Sequence, residues 1–377
     1  MEIENGGQKP HPGLYIHVPF CNSKCPYCGF YSTVSKSGRS EWVEALIKEM
    51  EIYHGEFDRF DTIYLGRGTP SCLDTNDLKK ILKGVKVNLD LYDDLEITME
   101  SNPSDLSLEK IKAIKELNIN RINLGIQSFD NNDLKVLGRR HTSSQAIEVI
   151  KNLHECNFNN LGIDLIYGLP GQTIKKWKRN LEKAVSFKPE HISCYELTIE
   201  KKTPFSVRLK KGSLELPDED LQAELFLKTS EFLQEQGYLH YEVSNFSKGG
   251  SNISKHNSKY WDHTPYLGLG PSAHSFQNST RWWNVSSVRR YCEALENGKQ
   301  PVKEIEELTE EQILLETVSL GLRTCRGIEM AVISKRPEWE KMVTDMVNSG
   351  HIQIKGSRVI PTLKGLLVAD YLPLSFF

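Results

Sequence analysis

No stretch of the 377 residues comes near the roughly 20 consecutive apolar residues that a membrane helix needs. The start, MEIENGGQKPHPG, lacks the apolar core of a signal peptide, so a leader is not expected. Charge of one sign is also missing: 47 Lys and Arg against 50 Asp and Glu give a net −3. That balance offers no electrostatic reason to bind nucleic acid. Internal repeats and low-complexity segments are absent, and cysteine is scarce outside one cluster. Cys72, Cys156, Cys194, Cys292 and Cys325 stand singly among apolar neighbours, where a thiol usually serves as a small buried hydrophobe.

The remaining three cysteines lie within eight residues, in CNSKCPYCGF (21–30). In a long chain without a secretion signal, such a cluster favours metal over disulfides and predicts a reducing, cytoplasmic setting. Zinc sites pair two C-x2-C-type halves or add histidine at a set distance, and no second half follows here. His17, on the preceding strand, is expected to point away from the loop. A [4Fe–4S] cluster prefers four thiolates, and with three one iron keeps an open coordination position. Structural zinc or chance clustering is the bland alternative.

From residue 15 onward, short β-type runs alternate with amphipathic helical patterns. Strands are expected at 15–20, 62–66, 96–101, 121–126, 161–168 and 191–199, with helices such as 41–53, 107–117, 143–157 and 175–187 between them. Six such units predict an α/β fold with a parallel sheet, either doubly wound or barrel-like, and periodicity does not choose between these. Turn-type and functional residues gather just after the strands, where an α/β barrel places its site. Beyond residue 200 the pattern changes. Residues 241–304 read as an irregular, aromatic-rich connecting segment after a barrel over 1–240. Residues 305–377 read as an α-rich, winged-helix-like module; its third helix, WEKMVTDMVNSG, is not basic enough for DNA.

C-x3-C-x2-C directly after the first strand of a β/α series is identified as the motif of the radical S-adenosylmethionine superfamily. The wider pattern resembles the branch that holds oxygen-independent coproporphyrinogen III oxidases and related haem chaperones. It is carried by YIHVPFCNSKCPYCGF (15–30), GRGTPS (66–71), ITMESNP (97–103), GIQSFDNNDLKVLGRRH (125–141), IDLIYGLPGQT (163–173) and HNSKYW (256–261). The resemblance implies an open, partial (β/α)6 barrel of the TIM type. It also implies a [4Fe–4S] cluster on Cys21, Cys25 and Cys28, whose open iron takes S-adenosylmethionine. Tyr15 and Phe30 would flank the cluster. Gly68 and Thr69 would admit the methionine end, Glu100 would bind its amino group or the ribose, and Gln127 would add a hydrogen bond. Arg139 would meet the carboxylate and Asp164 the ribose hydroxyls. The chain departs from the family's Gly-Gly-Gly-Thr-Pro at Arg67. An outward side chain, a charge for the carboxylate, or weakened cofactor binding would each follow from a different placement.

Within that branch three features favour haem carriage over porphyrinogen oxidation. The dehydrogenases carry a further cysteine where this chain has Phe30, and they have a longer segment than the 20 residues that precede Cys21 here. HNSKYW matches the chaperones' H-N-x-x-Y-W, which makes His256 the expected haem ligand; His263 and His274 are neighbouring alternatives, and Tyr260, Trp261 and Tyr266 would pack on the porphyrin. The expected function is therefore haem binding and delivery to acceptor proteins, membrane-bound ones included, on a scaffold able to cleave S-adenosylmethionine. An electron donor and a homodimer come with the resemblance. The competing expectation is a radical enzyme acting on a porphyrin: a coproporphyrinogen dehydrogenase, a methyltransferase or a haem-degrading relative.

Overall fold

The computed structural model describes residues 10–377, so the first nine residues of the polar start lie outside it. Six strands follow one another: β1 (Gly13–Val18), β2 (Phe60–Arg67), β3 (Leu91–Ser101), β4 (Arg121–Gln127), β5 (Leu161–Tyr167) and β6 (His191–Glu196). They pair in parallel, each with the next in sequence. A doubly wound sheet reverses its strand order, whereas this one never does over the six. Right-handed crossovers then bring all the intervening helices to one face, which is the barrel arrangement. Most of the intervening helices begin where side chains cap them: Asp74, Ser107 and Thr173 each accept a hydrogen bond from the first turn, and Thr142 forms a capping box with Gln145.

The two faces of these strands differ sharply. Leu14, Ile16 and Val18 of β1 turn outward and join Trp42, Leu46 and the other helix residues in one continuous apolar core. Ile63, Leu65, Ile122, Leu124, Ile163 and Leu165 do the same on the other strands. The inward residues, two apart and in register across the sheet, are polar: Tyr15 beside Tyr64, Glu100 beside Asn123, Asp164 beside Ser193. A closed TIM barrel fills this space with branched aliphatic layers. Here the lining is that of a chamber for a polar guest.

Segment 241–304 is not a separate connector. It supplies β8 (Asn245–Ser247), which with β7 (Leu239–Glu242) continues the sheet beyond β6. Across the molecule it supplies β9 (Tyr266–Leu269), which pairs in parallel with β1 on its free side. Then β10 (His274–Gln277), β11 (Thr280–Asn284) and β12 (Val302–Glu307) extend the sheet antiparallel. The result is one open sheet of twelve strands with β12 and β7 at its edges, a partial barrel rather than a closed one.

From residue 310 the chain forms helices Glu310–Gly321, Met330–Ile333 and Pro337–Asn348 around a small sheet of β13 (Ile328–Glu329), β14 (Ile352–Lys355) and β15 (Arg358–Pro361). The order helix, strand, two helices, hairpin follows the winged-helix plan, over its own apolar cluster of Val318, Ile333, Trp339 and Val359. Among the described residues no helix is long and apolar enough to cross a membrane.

Candidate cluster and cofactor site

The cysteine loop starts at the C-terminal end of β1 and is anchored at both ends. Cys21 N–H donates to Thr33 O at 2.9 Å and Thr33 N–H to Pro19 O at 2.7 Å. Phe205 N–H donates to Pro26 O at 3.0 Å, and the Phe205 ring packs on Tyr27 in a small apolar cluster of its own. His17 does not turn away as the sequence suggested. Its Nε2–H donates to Tyr31 O at 3.0 Å, so the imidazole is a strut under the loop. Burial lowers its pKa to about 4, which keeps it neutral.

All three thiols are half-buried and free. Thr69 Oγ1 donates to Cys21 Sγ at 3.4 Å, and Arg139 Nη1 to Cys25 Sγ at 3.5 Å. Donors of this kind stabilise a thiolate, the form that binds metal. Burial raises the Cys28 pKa. Among the described residues no three His, Cys, Asp or Glu side chains close on a single ion site. A four-iron cluster needs no such point, because each thiolate meets a different iron. Of the isolated cysteines, Cys194 and Cys292 are buried; Cys72, Cys156 and Cys325 are only partly so.

The next loop, after β2, lies directly against the first. A β-carbon on Gly68 would sit 2.4 Å from Val18 O and 2.7 Å from Phe20 O, so only glycine fits. Thr69 N–H donates to Phe20 O at 2.7 Å and locks the two loops together. Arg67 takes the left-handed φ of 74°. Glycine adopts that conformation freely and arginine does so at a cost, which explains the family's usual residue. Its backbone N–H is held at 2.8 Å by Glu100 Oε2, and its guanidinium turns out over the Phe30 ring, 3.9 Å from the centroid.

Deeper in the chamber, Glu100 Oε1 accepts from Tyr64 O–H at 2.8 Å. Burial, the nearby Asp164 charge adding to it, lifts the Glu100 pKa to about 7. Burial also raises Asp164, with Ser193 opposing. Gln127 holds a left-handed φ of 71° at the end of β4. Arg139 is less free than the sequence suggested, because its Nη2 donates to Gly125 O at 2.6 Å. Of the buried polar atoms without a partner among the described residues, four belong to these strands and the loop after β4: Gln127 Oε1, Asp164 Oδ1, Asn123 Oδ1 and Arg139 Nε. Others lie elsewhere, but these four converge on one polar space, where a guest's polar groups would satisfy them.

The residues therefore fit the implied group. Cys21, Cys25 and Cys28 would hold a [4Fe–4S] cluster, and the chamber would take the methionine and ribose ends of S-adenosylmethionine. Bound there, the pair would supply one-electron reductive cleavage of the sulfonium. The protein's part would be to hold both ends of the cofactor and shield the loop. Tyr64 and Asn123 were missed in the sequence; their signal was the alternation of apolar and polar residues along β2 and β4.

His256 lies beneath the chamber, its ring stacked on Tyr64 at 5.0 Å. It sits on a short helix, Lys255–Ser258, level with Gly13 and Thr62 at the starts of β1 and β2. That is the floor of the barrel, about 17 Å along β1 from the cysteine loop. Nδ1 bonds Thr62 Oγ1 at 2.8 Å, Nε2 bonds Tyr260 Oη at 2.9 Å, and the backbone N–H donates to Glu96 Oε1 at 3.1 Å. The residue is 1% exposed, and burial lowers its pKa to about 3. Lys259 completes the plug through Asp61 Oδ1 at 2.8 Å and His11 O at 2.6 Å. In this conformation HNSKYW closes the floor, and neither His256 nitrogen is free for iron.

Comparison with known proteins bears on the family and the fold. Residues 15–184 match the radical SAM superfamily. Over 366 residues the chain is 37% identical to the haem chaperone HemW of Lactococcus lactis, covering 95% of each chain. It is 34% identical to the haem chaperone HemW of Bacillus subtilis, covering 94% of this chain and 96% of that one. Among solved structures, the coproporphyrinogen III oxidase HemN of Escherichia coli superposes with a TM-score of 0.84 over 98% of this chain and 90% of the other. At 20% identity that likeness speaks for the fold.

Proposed function

The chain belongs to the haem chaperone HemW family within the radical SAM superfamily, and from that premise we propose that it binds haem and passes it to acceptor proteins. It does so on a scaffold that carries a [4Fe–4S] cluster and S-adenosylmethionine. The observation that carries the reading is the similarity to haem chaperones over nearly the whole chain, floor motif and C-terminal module included. Phe30, where porphyrinogen dehydrogenases would place a further thiol, points the same way.

The finer parts are ours to propose. Cys21, Cys25 and Cys28 are the cluster ligands. Gly68, Thr69, Glu100, Gln127, Arg139 and Asp164 receive S-adenosylmethionine, and Tyr15 and Phe30 bound the space beside it. The setting is the reducing cytoplasm, where the loop thiols stay available to iron. An electron donor and acceptors at a membrane belong to the same reading, as does a homodimer.

Haem titration of the cluster-loaded protein tests the reading. It predicts a saturable Soret band. Conversion of coproporphyrinogen III under reducing conditions with S-adenosylmethionine would replace haem carriage with porphyrinogen oxidation.

A further inference from the structure

If haem is bound, an iron ligand is needed, and the stretch 256–274 offers three histidines. His256 is closed in the floor with both nitrogens engaged. His263 Nε2 is bonded at 3.1 Å to Glu316, a carboxylate that Arg281 grips with both guanidinium nitrogens. His274 differs from both. One side of its ring reaches solvent, and no hydrogen bond holds it among the described residues.

Register places that imidazole on the chamber side of the sheet. Phe276 of β10 lies opposite Tyr266 of β9, which aligns with Gly13 of β1. Side chains two apart share a face, so His274 lies on the same face as Tyr15. Its cross-strand partner is Trp283, and the two rings stack at 5.4 Å with 21° between planes. Partial burial and the Arg67 charge both lower the His274 pKa, so the ring is neutral at physiological pH and keeps a lone pair.

The same charge identifies the other half of the site. Arg67 pairs in register with Val18, next to His17 at the C-terminal ends of β1 and β2, and its charge reaches His17 and His274 as well as Tyr15 and Tyr260. Its guanidinium lies over Phe30, itself 52% exposed, with the Tyr15 hydroxyl on its inner side, and no carboxylate forms an ion pair with it among the described residues. A strained left-handed backbone is kept where glycine would be free, which implies that the side chain has a use.

A neutral imidazole with no hydrogen-bond partner, a guanidinium with no carboxylate partner and two aromatic faces, Phe30 and Trp283, thus line one side of the barrel opening. Their chemistry matches a flat iron porphyrin with carboxylate arms. We propose that haem docks at the open mouth of the barrel, with His274 as axial ligand and Arg67 paired with a propionate. This rests on the haem-binding reading above, and it moves the iron from the floor motif to the β10–β11 wall.

The test uses the full chain with its cluster reconstituted, titrated with haem and with haem dimethyl ester, and read by Soret absorbance and resonance Raman. His274→Ala should weaken haem at least tenfold and remove the imidazole–iron signature, and added imidazole should restore that signature. Arg67→Ala should weaken haem several-fold yet leave the dimethyl ester unchanged. His256→Asn should keep the wild-type spectrum. A His274→Ala protein with wild-type spectrum and affinity overturns the axial assignment, as does loss of the signature in His256→Asn alone. Equal weakening of haem and ester by Arg67→Ala overturns the propionate pairing. A wild-type protein that gives no Soret change overturns the haem-carrier reading itself.

Discussion

Substituting Gly68 by alanine probes how the cysteine loop is held. The new methyl would meet Val18 O at 2.4 Å and Phe20 O at 2.7 Å, both backbone atoms of the loop entry. Neither can rotate aside as a side-chain tip can, so the two loops must part. Overpacking typically costs about 1–3 kcal/mol, and a double clash with backbone belongs at the upper end. The displacement also bears on function, because Thr69 ties this loop to Phe20 O and to Cys21 Sγ. Gly68→Ala should therefore unfold about 3 kcal/mol more easily in urea and load less iron on anaerobic reconstitution. Gly250→Ala, which meets no atom within 4 Å and has no left-handed φ, is the control and should stay within about 0.5 kcal/mol. Equal stability and iron content in Gly68→Ala and the control would refute the argument from close approach.

Cys25→Ala should lower iron from about four per chain to near none on reconstitution; stoichiometric zinc in the wild type would displace the cluster. Asp164→Ala should weaken S-adenosylmethionine binding at least tenfold by equilibrium dialysis of cluster-loaded protein. It should leave the apo-protein equally stable or about 1 kcal/mol more so, because a buried carboxylate with one oxygen unpartnered costs free energy. His256→Asn tests the floor. The imidazole titrates near 3 when folded and near its ordinary 6.5 when unfolded, so its contribution is complete above pH 6.5 and is lost as pH falls towards 3. The stability gap between wild type and variant should thus narrow by about 2 kcal/mol from pH 7 to pH 5 in urea unfolding; a constant gap would mean His256 is not held neutral.

The first six strands were legible because each combines a short apolar run with a turn residue at its end. Their winding was not, since strand order is a long-range property that periodicity does not carry. Residues 241–304 misread as a connector for a related reason. Strands of three to six residues show too little alternation to register, and β9 finds its partner, β1, some 250 positions away. The three thiols were evident from spacing alone. His17 was misjudged because alternation assigns a face and not the height at which a side chain meets a returning loop. His256 shows the limit of motif reading: HNSKYW marks a real structure, the barrel floor, yet residue type alone did not tell a closed hydrogen-bonded imidazole from an open one. Arg67 could be flagged from sequence, but its φ and its place over Phe30 needed the fold.

Delivery is the central claim, and transfer tests it most directly. Haem-loaded protein with its cluster intact is mixed with an apo-acceptor, separated, and haem in each fraction is followed by Soret absorbance. Haem should leave the carrier and appear in the acceptor, whose activity should rise with it. Haem that stays on the carrier, or reaches the acceptor no faster than free haem does, would contradict the account.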